Sequence, residues 1–166
     1  MNSLLKWISI THRLGKIYLD RHLEKWGINS TQHFFVLRIC ENEGITQDQL
    51  PSLIRLNKSN IARALAHLEK VGLIRREPYA EDKRTVRLYS TEQAKPLYKE
   101  IQTLEESWRN IILKDLPEET KQEFLYHLQT AAQAAIQYIC KKTHHEGNSR
   151  DNDSPSSTLH NATKNA

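Results

Sequence analysis

The sequence predicts a mainly α-helical fold with one small β-hairpin set among the helices. Apolar side chains recur three and four residues apart along most of the chain, as a helix with one buried face requires. A single stretch, 73–89, instead alternates apolar and polar residues on either side of a charged loop, the pattern of a hairpin. The 166 residues are 38% hydrophobic and 27% charged, with Cys40 and Cys140 the only cysteines. That composition suits one core-forming domain with an extension and excludes a disulfide-stapled scaffold.

The first helix covers about 3–25, with Leu4, Trp7, Ile8, Leu14, Ile17 and Tyr18 at helical spacing and a stop at Trp26-Gly27. Asn29, with Gln32 three residues on, caps a second helix whose buried side is expected to be Phe34, Phe35, Leu37, Ile39 and Cys40, ending at Glu43-Gly44. Thr46 and Gln49 form a capping box and Ile45 staples to Leu50, so a short helix is expected from Thr46 to about Arg55. Pro51 would then lie in its interior, losing a bond to the Gln47 carbonyl and distorting the turn. Asn57 opens the next helix, with Ile61, Leu65 and Leu68 inward, and Gly72 ends it. Two short helices joined by a three-residue turn make a helix-turn-helix, which places the second for a DNA major groove.

Leu73–Glu77 and Thr85–Tyr89 then flank the polar loop 78–84 as the hairpin. Ser90 and Gln93 are expected to open a long helix striped by Ala94, Leu97, Ile101, Leu104, Trp108 and Ile111. Pro117 suits the first turn of a last helix carrying Phe124, Leu128, Ala131, Ala135, Ile136 and Ile139. Residues 143–166 are Ser/Asn/Asp/Thr-rich with almost no apolar residue, and are expected to be a disordered tail.

The formal net charge of +4 is unevenly spread. Residues 55–90 hold +5, residues 1–54 hold +1, and the segments 91–142 and 143–166 hold −1 each. A basic stretch of this kind is the footprint of a polyanion binder, or else a solvated surface. The helix opened by Asn57 favours the first. A rotation of about 100° per residue puts Ile61, Ala64, Leu65 and Leu68 on one side and Ser59, Ala62, Arg63, Ala66 and His67 opposite. Arg63 can fork onto guanine, Ser59 and Asn60 can reach bases or phosphates, the alanines permit close approach, and Lys58 is placed for phosphate.

The run from Leu56 to Arg76, with Arg63, Leu68-Glu69 and Gly72-Leu73-Ile74 at its centre, is followed by the tip Asp82-Lys83-Arg84. In this order and spacing it resembles the MarR family of winged helix-turn-helix transcriptional regulators, over roughly Leu14 to Ile139. The resemblance implies a MarR-type domain at 1–142. Its winged helix-turn-helix lobe would span about 29–90, with N- and C-terminal dimerisation helices at about 3–25 and 91–142. It implies a homodimer on a pseudo-palindromic double-stranded DNA operator, acting as a repressor, with Arg84 in the minor groove, Asp82 orienting it, and Lys83 beside it. Thr46, Gln47, Lys58, Ser59, Asn60, Arg63 and His67 complete the expected DNA contacts.

The resemblance further implies a cavity between the dimerisation helices and the DNA-binding lobe for a small aromatic or lipophilic effector. Arg13 and His33 are candidates to line it, with salt-bridge and capping roles as alternatives. Redox sensing through Cys40 or Cys140 and a protein-interaction module that binds no DNA are competing readings. With only five glycines, the chain shows no Gly-rich phosphate loop, nucleophile elbow or metal-ligand spacing, so no catalytic residue, cofactor or metal is expected. Neither an export signal nor a membrane span is read in the sequence, and with the resemblance the protein is expected in a bacterial or archaeal cytoplasm, at the nucleoid through DNA binding.

Overall fold

The structure, a computed structural model, describes residues 3–51, 58–79 and 85–148. The chain divides into two compact units, Met1–Lys114 and Asp115–Ala166. Helix α1 (Leu4–Leu23) begins at Ser3, whose side chain accepts from the Lys6 amide. It ends in a 3-10 turn, Glu24–Trp26, closed by Gly27 in the left-handed region at φ 68°. Asn29 then builds the expected box: its Oδ1 accepts from the amides of Thr31 and Gln32, while its own amide donates to Gln32 Oε1 at 3.0 Å. The box shapes a turn, and α2 (His33–Glu41) starts one residue beyond it. Phe34, expected inside, is 47% exposed, and Val36 is fully buried beside Phe35 and Ile39.

After Gly44 (φ 81°) comes a strand the sequence reading missed, β1 (Ile45–Thr46). The Thr46 amide donates to Gln49 Oε1 at 2.9 Å, so half of the anticipated box exists, but helical structure begins only at Leu50. Pro51 therefore lies in a first turn, where its missing N–H has no intrahelical partner to lose. The distortion expected from an interior proline has no cause. The expected continuation to Arg55, and Asn57 as a cap, lie outside the described residues.

Helix α3 (Lys58–Lys70) leads through Gly72 (φ 78°) to β2 (Ile74–Pro78) and β3 (Val86–Ser90). The strands form one antiparallel sheet in the order β1-β3-β2, with Ile74 opposite Ser90 and Ile45 opposite Leu88. Ser90 does not cap the following helix. Its amide and hydroxyl both bond to the Glu43 carboxylate, and Thr91 supplies the carbonyl that receives the Ala94 amide. Helix α4 (Ala94–Ile112) follows and buries Ala94, Leu97, Ile101 and Leu104 of its predicted stripe, while Trp108 is half-buried and Ile111 exposed. These side chains join Leu23, Phe35, Ile39, Leu50, Ile61, Leu65, Leu68, Leu73 and Leu88 in one core.

The second unit contains α5 (Glu118–Asn148). This helix overruns the domain boundary expected at residue 142 and takes in the first six residues of the expected tail, 143–148. Extending an existing helix adds one hydrogen bond for each residue fixed, so a polar segment can continue a helix it could not nucleate. Among the described residues, no helix is long and apolar enough to cross a membrane.

Candidate nucleic-acid interface

Helix α3 splits as its sequence requires. Ile61, Ala64, Leu65 and Leu68 are buried, and Ser59, Asn60, Ala62, Arg63 and Ala66 are exposed. Burying one side fixes the rotation of the helix and so selects which side chains face outward. Arg63 Nη2 donates to Asn60 Oδ1 at 2.8 Å, one turn back, so the guanidinium is steadied along the exposed face. Lys58 is the first residue of this helix. Asp82, Lys83 and Arg84 lie outside the described residues.

Thr46 and Gln47 sit elsewhere, against β3. Thr46 pairs with Arg87, and the Gln47 amide donates to the Val86 carbonyl at 3.4 Å, which puts both beside the loop-proximal end of β3. The hairpin also carries arginines that the site prediction overlooked. Arg87 lies 3.9 Å over the Tyr79 ring and Arg75 lies 4.5 Å over that of Tyr89. Arg75 and Tyr89 are cross-strand partners, as are Glu77 and Arg87. Strict alternation along both strands puts these residues on one sheet face, a signal available in the sequence had the period of two been followed outward as well as inward. Two of the arginines in this stretch are paired within it: Arg75 pairs with Glu77, and Arg76 Nε lies 3.0 Å from Glu69 Oε2, linking β2 to α3.

His67 differs from the other predicted contacts on α3. It is half-buried, and its Nε2 lies 2.6 Å from the Gly27 carbonyl oxygen. Both residues border a groove of about 570 Å³ that also takes in Asp20, Glu24, Asn29 and Gln32. Neither expected effector residue lines it. Arg13 is exposed on α1. His33 is 2% exposed, with Nδ1 2.5 Å from the Ser30 carbonyl oxygen and Nε2 3.3 Å from Glu105 Oε1. Its ring nitrogens join the turn before α2 to α4, which fits the capping alternative. The structure does not bring Arg13 and His33 together in this groove. Burial, above all, pushes the Cys40 thiol up, with the Glu43 and Glu41 charges adding to it and a hydrogen bond from Ser90 opposing. That direction works against a reactive thiolate.

The MarR family model matches residues 28–86, which contain α2, β1, α3 and β2 and reach the first residue of β3. The HTH-type transcriptional regulator YybA of Bacillus subtilis is 26% identical over 91% of this chain and 99% of its own length. A MarR transcriptional regulator from Methanosarcina mazei matches 80% of the chain and 96% of its own at 27% identity, with a TM-score of 0.75. A putative MarR family regulator from Listeria monocytogenes, whose crystal structure is complexed with 26mer DNA, matches 85% and 96% at 26% identity and TM-score 0.74. Residues 28–86 thus match the MarR family model, and solved MarR-type regulators at 26–27% identity share this chain's architecture over 80–85% of its length.

Proposed function

We propose that this protein is a sequence-specific, double-stranded DNA-binding repressor that acts in the cytoplasm as a homodimer on a pseudo-palindromic operator. The observation that carries the reading is α3: a helix anchored by Ile61, Leu65 and Leu68 that turns Ser59, Asn60, Ala62, Arg63 and Ala66 outward. Arg63 is its base reader, by bidentate contact to guanine, with Ser59 and Asn60 beside it. Lys58, Thr46 and Gln47 fix the register on phosphate, and Asp82, Lys83 and Arg84 serve at the hairpin tip. The Listeria relative seen with DNA supports this assignment by likeness. The exposed apolar residues of α1 and α5 supply the dimer contact, and a small aromatic or lipophilic ligand releases the complex.

Selection of bound duplexes from a random pool, followed by gel shift at two salt concentrations, tests the reading. Expected are inverted half-sites about 10 bp apart centre to centre, with affinity falling steeply as salt rises. No enriched sequence, or retention indifferent to salt, overturns it.

A further inference from the structure

His67 occupies the edge of the exposed face of α3, near the end opposite Ser59 and Asn60. Its Nε2 reaches the Gly27 carbonyl across 40 residues of chain, at 2.6 Å. A carbonyl oxygen can only accept, so Nε2 carries the proton and is the donor. Gly27 is the left-handed residue that closes the turn after α1, and it approaches the end of α3 at a second point. A Cβ built on it would stand 3.6 Å from Val71 Cγ1. His67 and Val71 are one helical turn apart, so the end of α3 runs close past Gly27, and the hydrogen bond is the directional contact between them. Rotating or sliding the helix would break it.

We infer that His67 is a positioning residue: its hydrogen bond to Gly27 sets the depth and rotation of α3, and thereby where Arg63 is presented. This rests on the reading of α3 as the DNA-reading helix. It replaces the sequence expectation that His67 touches DNA, because the ring nitrogen at 2.6 Å from Gly27 is already committed. A latch and a phosphate contact make different demands of the same side chain. The latch needs an N–H donor at the reach of Nε2 but no charge, which Gln provides. A phosphate contact needs charge and contributes to the salt dependence.

The experiment measures His67→Ala, His67→Gln and His67→Lys on the selected operator across a salt series, with thermal melting of each. Expected is a loss of about fivefold to tenfold for His67→Ala, the scale of one hydrogen bond. The salt slope should remain that of wild type, His67→Gln should recover most of the loss, and His67→Lys should not recover it. Ring-nitrogen NMR of the wild-type protein is expected to show a protonated Nε2, a readout that needs no variant to fold. Wild-type affinity in His67→Ala overturns the inference. So does a slope reduced by about one with rescue by His67→Lys, the signature of a phosphate contact. An unprotonated Nε2 overturns it as well. Wild-type protein that retains no duplex overturns the DNA-reading function itself, a result distinguishable from any His67 effect.

Discussion

Arg63 and Lys58 stand five residues apart on the same helix, and the proposed function gives them separable tasks. Arg63→Ala is expected to cost about 1 to 3 kcal/mol on the cognate operator and to relax preference at one base pair. Lys58→Ala should weaken cognate and scrambled duplexes alike and lower the salt slope by about one. Competition binding with both duplexes checks the pair, and equal losses for Arg63→Ala would remove it as the base reader. Arg63 was legible in the sequence because helical periodicity alone assigns its face. His33 and His67 were less so, since the hydrogen bonds that define them run to Glu105 and to Gly27, and no local pattern encodes a partner 40 or more residues away. Glu100 belongs to the same class of long-range contact. Its carboxylate receives Lys25 Nζ at 2.8 Å and Trp26 Nε1 at 3.0 Å, and the bond from Lys25, ahead of that from Trp26, holds its pKa below the usual glutamate value. A depressed carboxylate stabilises the fold fully above its unfolded value of about 4.3 and loses that contribution as pH falls through the lower folded value. The melting-temperature gap between wild type and Glu100→Gln should therefore be largest near neutral pH and close on acidification. A gap that stays constant down to about pH 3 would dissociate Glu100 from the acid response.

At the scale of elements, the strong local signals located helices well and their ends less well. The Asn29–Gln32 and Thr46–Gln49 spacings both produced hydrogen bonds, yet in each case regular helix begins after the box. Capping side chains satisfy orphan amides in a turn as readily as in a helix, so the motif marks an entry point more than a first residue. Strand β1 escaped notice because two residues carry no periodicity; it exists because β3 offers it an edge. Ser90 was misread because its hydroxyl had a better partner in Glu43 than in the helix beyond it. The contact between α1 and α4 was also hidden, although its key is a glycine. Gly15 is buried, and a Cβ there would stand 3.1 Å from Trp108 Nε1, while Tyr18, less than one turn on, stacks on the same indole at 5.2 Å. A glycine within a helix gives up about 1 kcal/mol of helix propensity relative to alanine, here in exchange for the close approach of an indole. Gly15→Leu should displace Trp108 and destabilise by about 1 to 3 kcal/mol, as overpacking does. Denaturant unfolding followed by tryptophan fluorescence checks it, and an unchanged midpoint would show that α4 yields freely at this crossing.

For the molecule as a whole, the basic excess in 55–90 and the exposed apolar residues answer different needs. Ion pairs such as Arg76 with Glu69 hold the hairpin against α3, and since their charges cancel within 55–90, the net +5 rests on the other basic side chains of the stretch. Much of the apolar exposure lies on the first turns of α1 and along α5. On α1, Leu5 is 77% and Trp7 56% exposed, with Leu4 and Ile8 beside them, and α5 exposes Phe124, Leu125, Leu128 and Ile139. Single exposed apolar residues are ordinary, but a helical stripe of them over several turns is the mark of an interface. The sequence displayed both stripes plainly, while what they cover was legible only through the family resemblance, because periodicity reports that a face is buried and never against which molecule. If the α1 stripe is a dimer contact, placing charge on it should dissociate the protein without unfolding it, since Leu5 and Ile8 are absent from the core around Phe35, Leu65 and Leu97. The double variant Leu5→Glu and Ile8→Glu is expected to sediment as a monomer where wild type sediments as a dimer, with the far-ultraviolet dichroism of the folded chain retained. It should also lose the preference for two half-sites over one, because a two-fold operator rewards only a two-fold reader. Unchanged mass by analytical ultracentrifugation, with full preference for the paired site, would move the dimer contact off the start of α1 and leave α5 as the face to be tested.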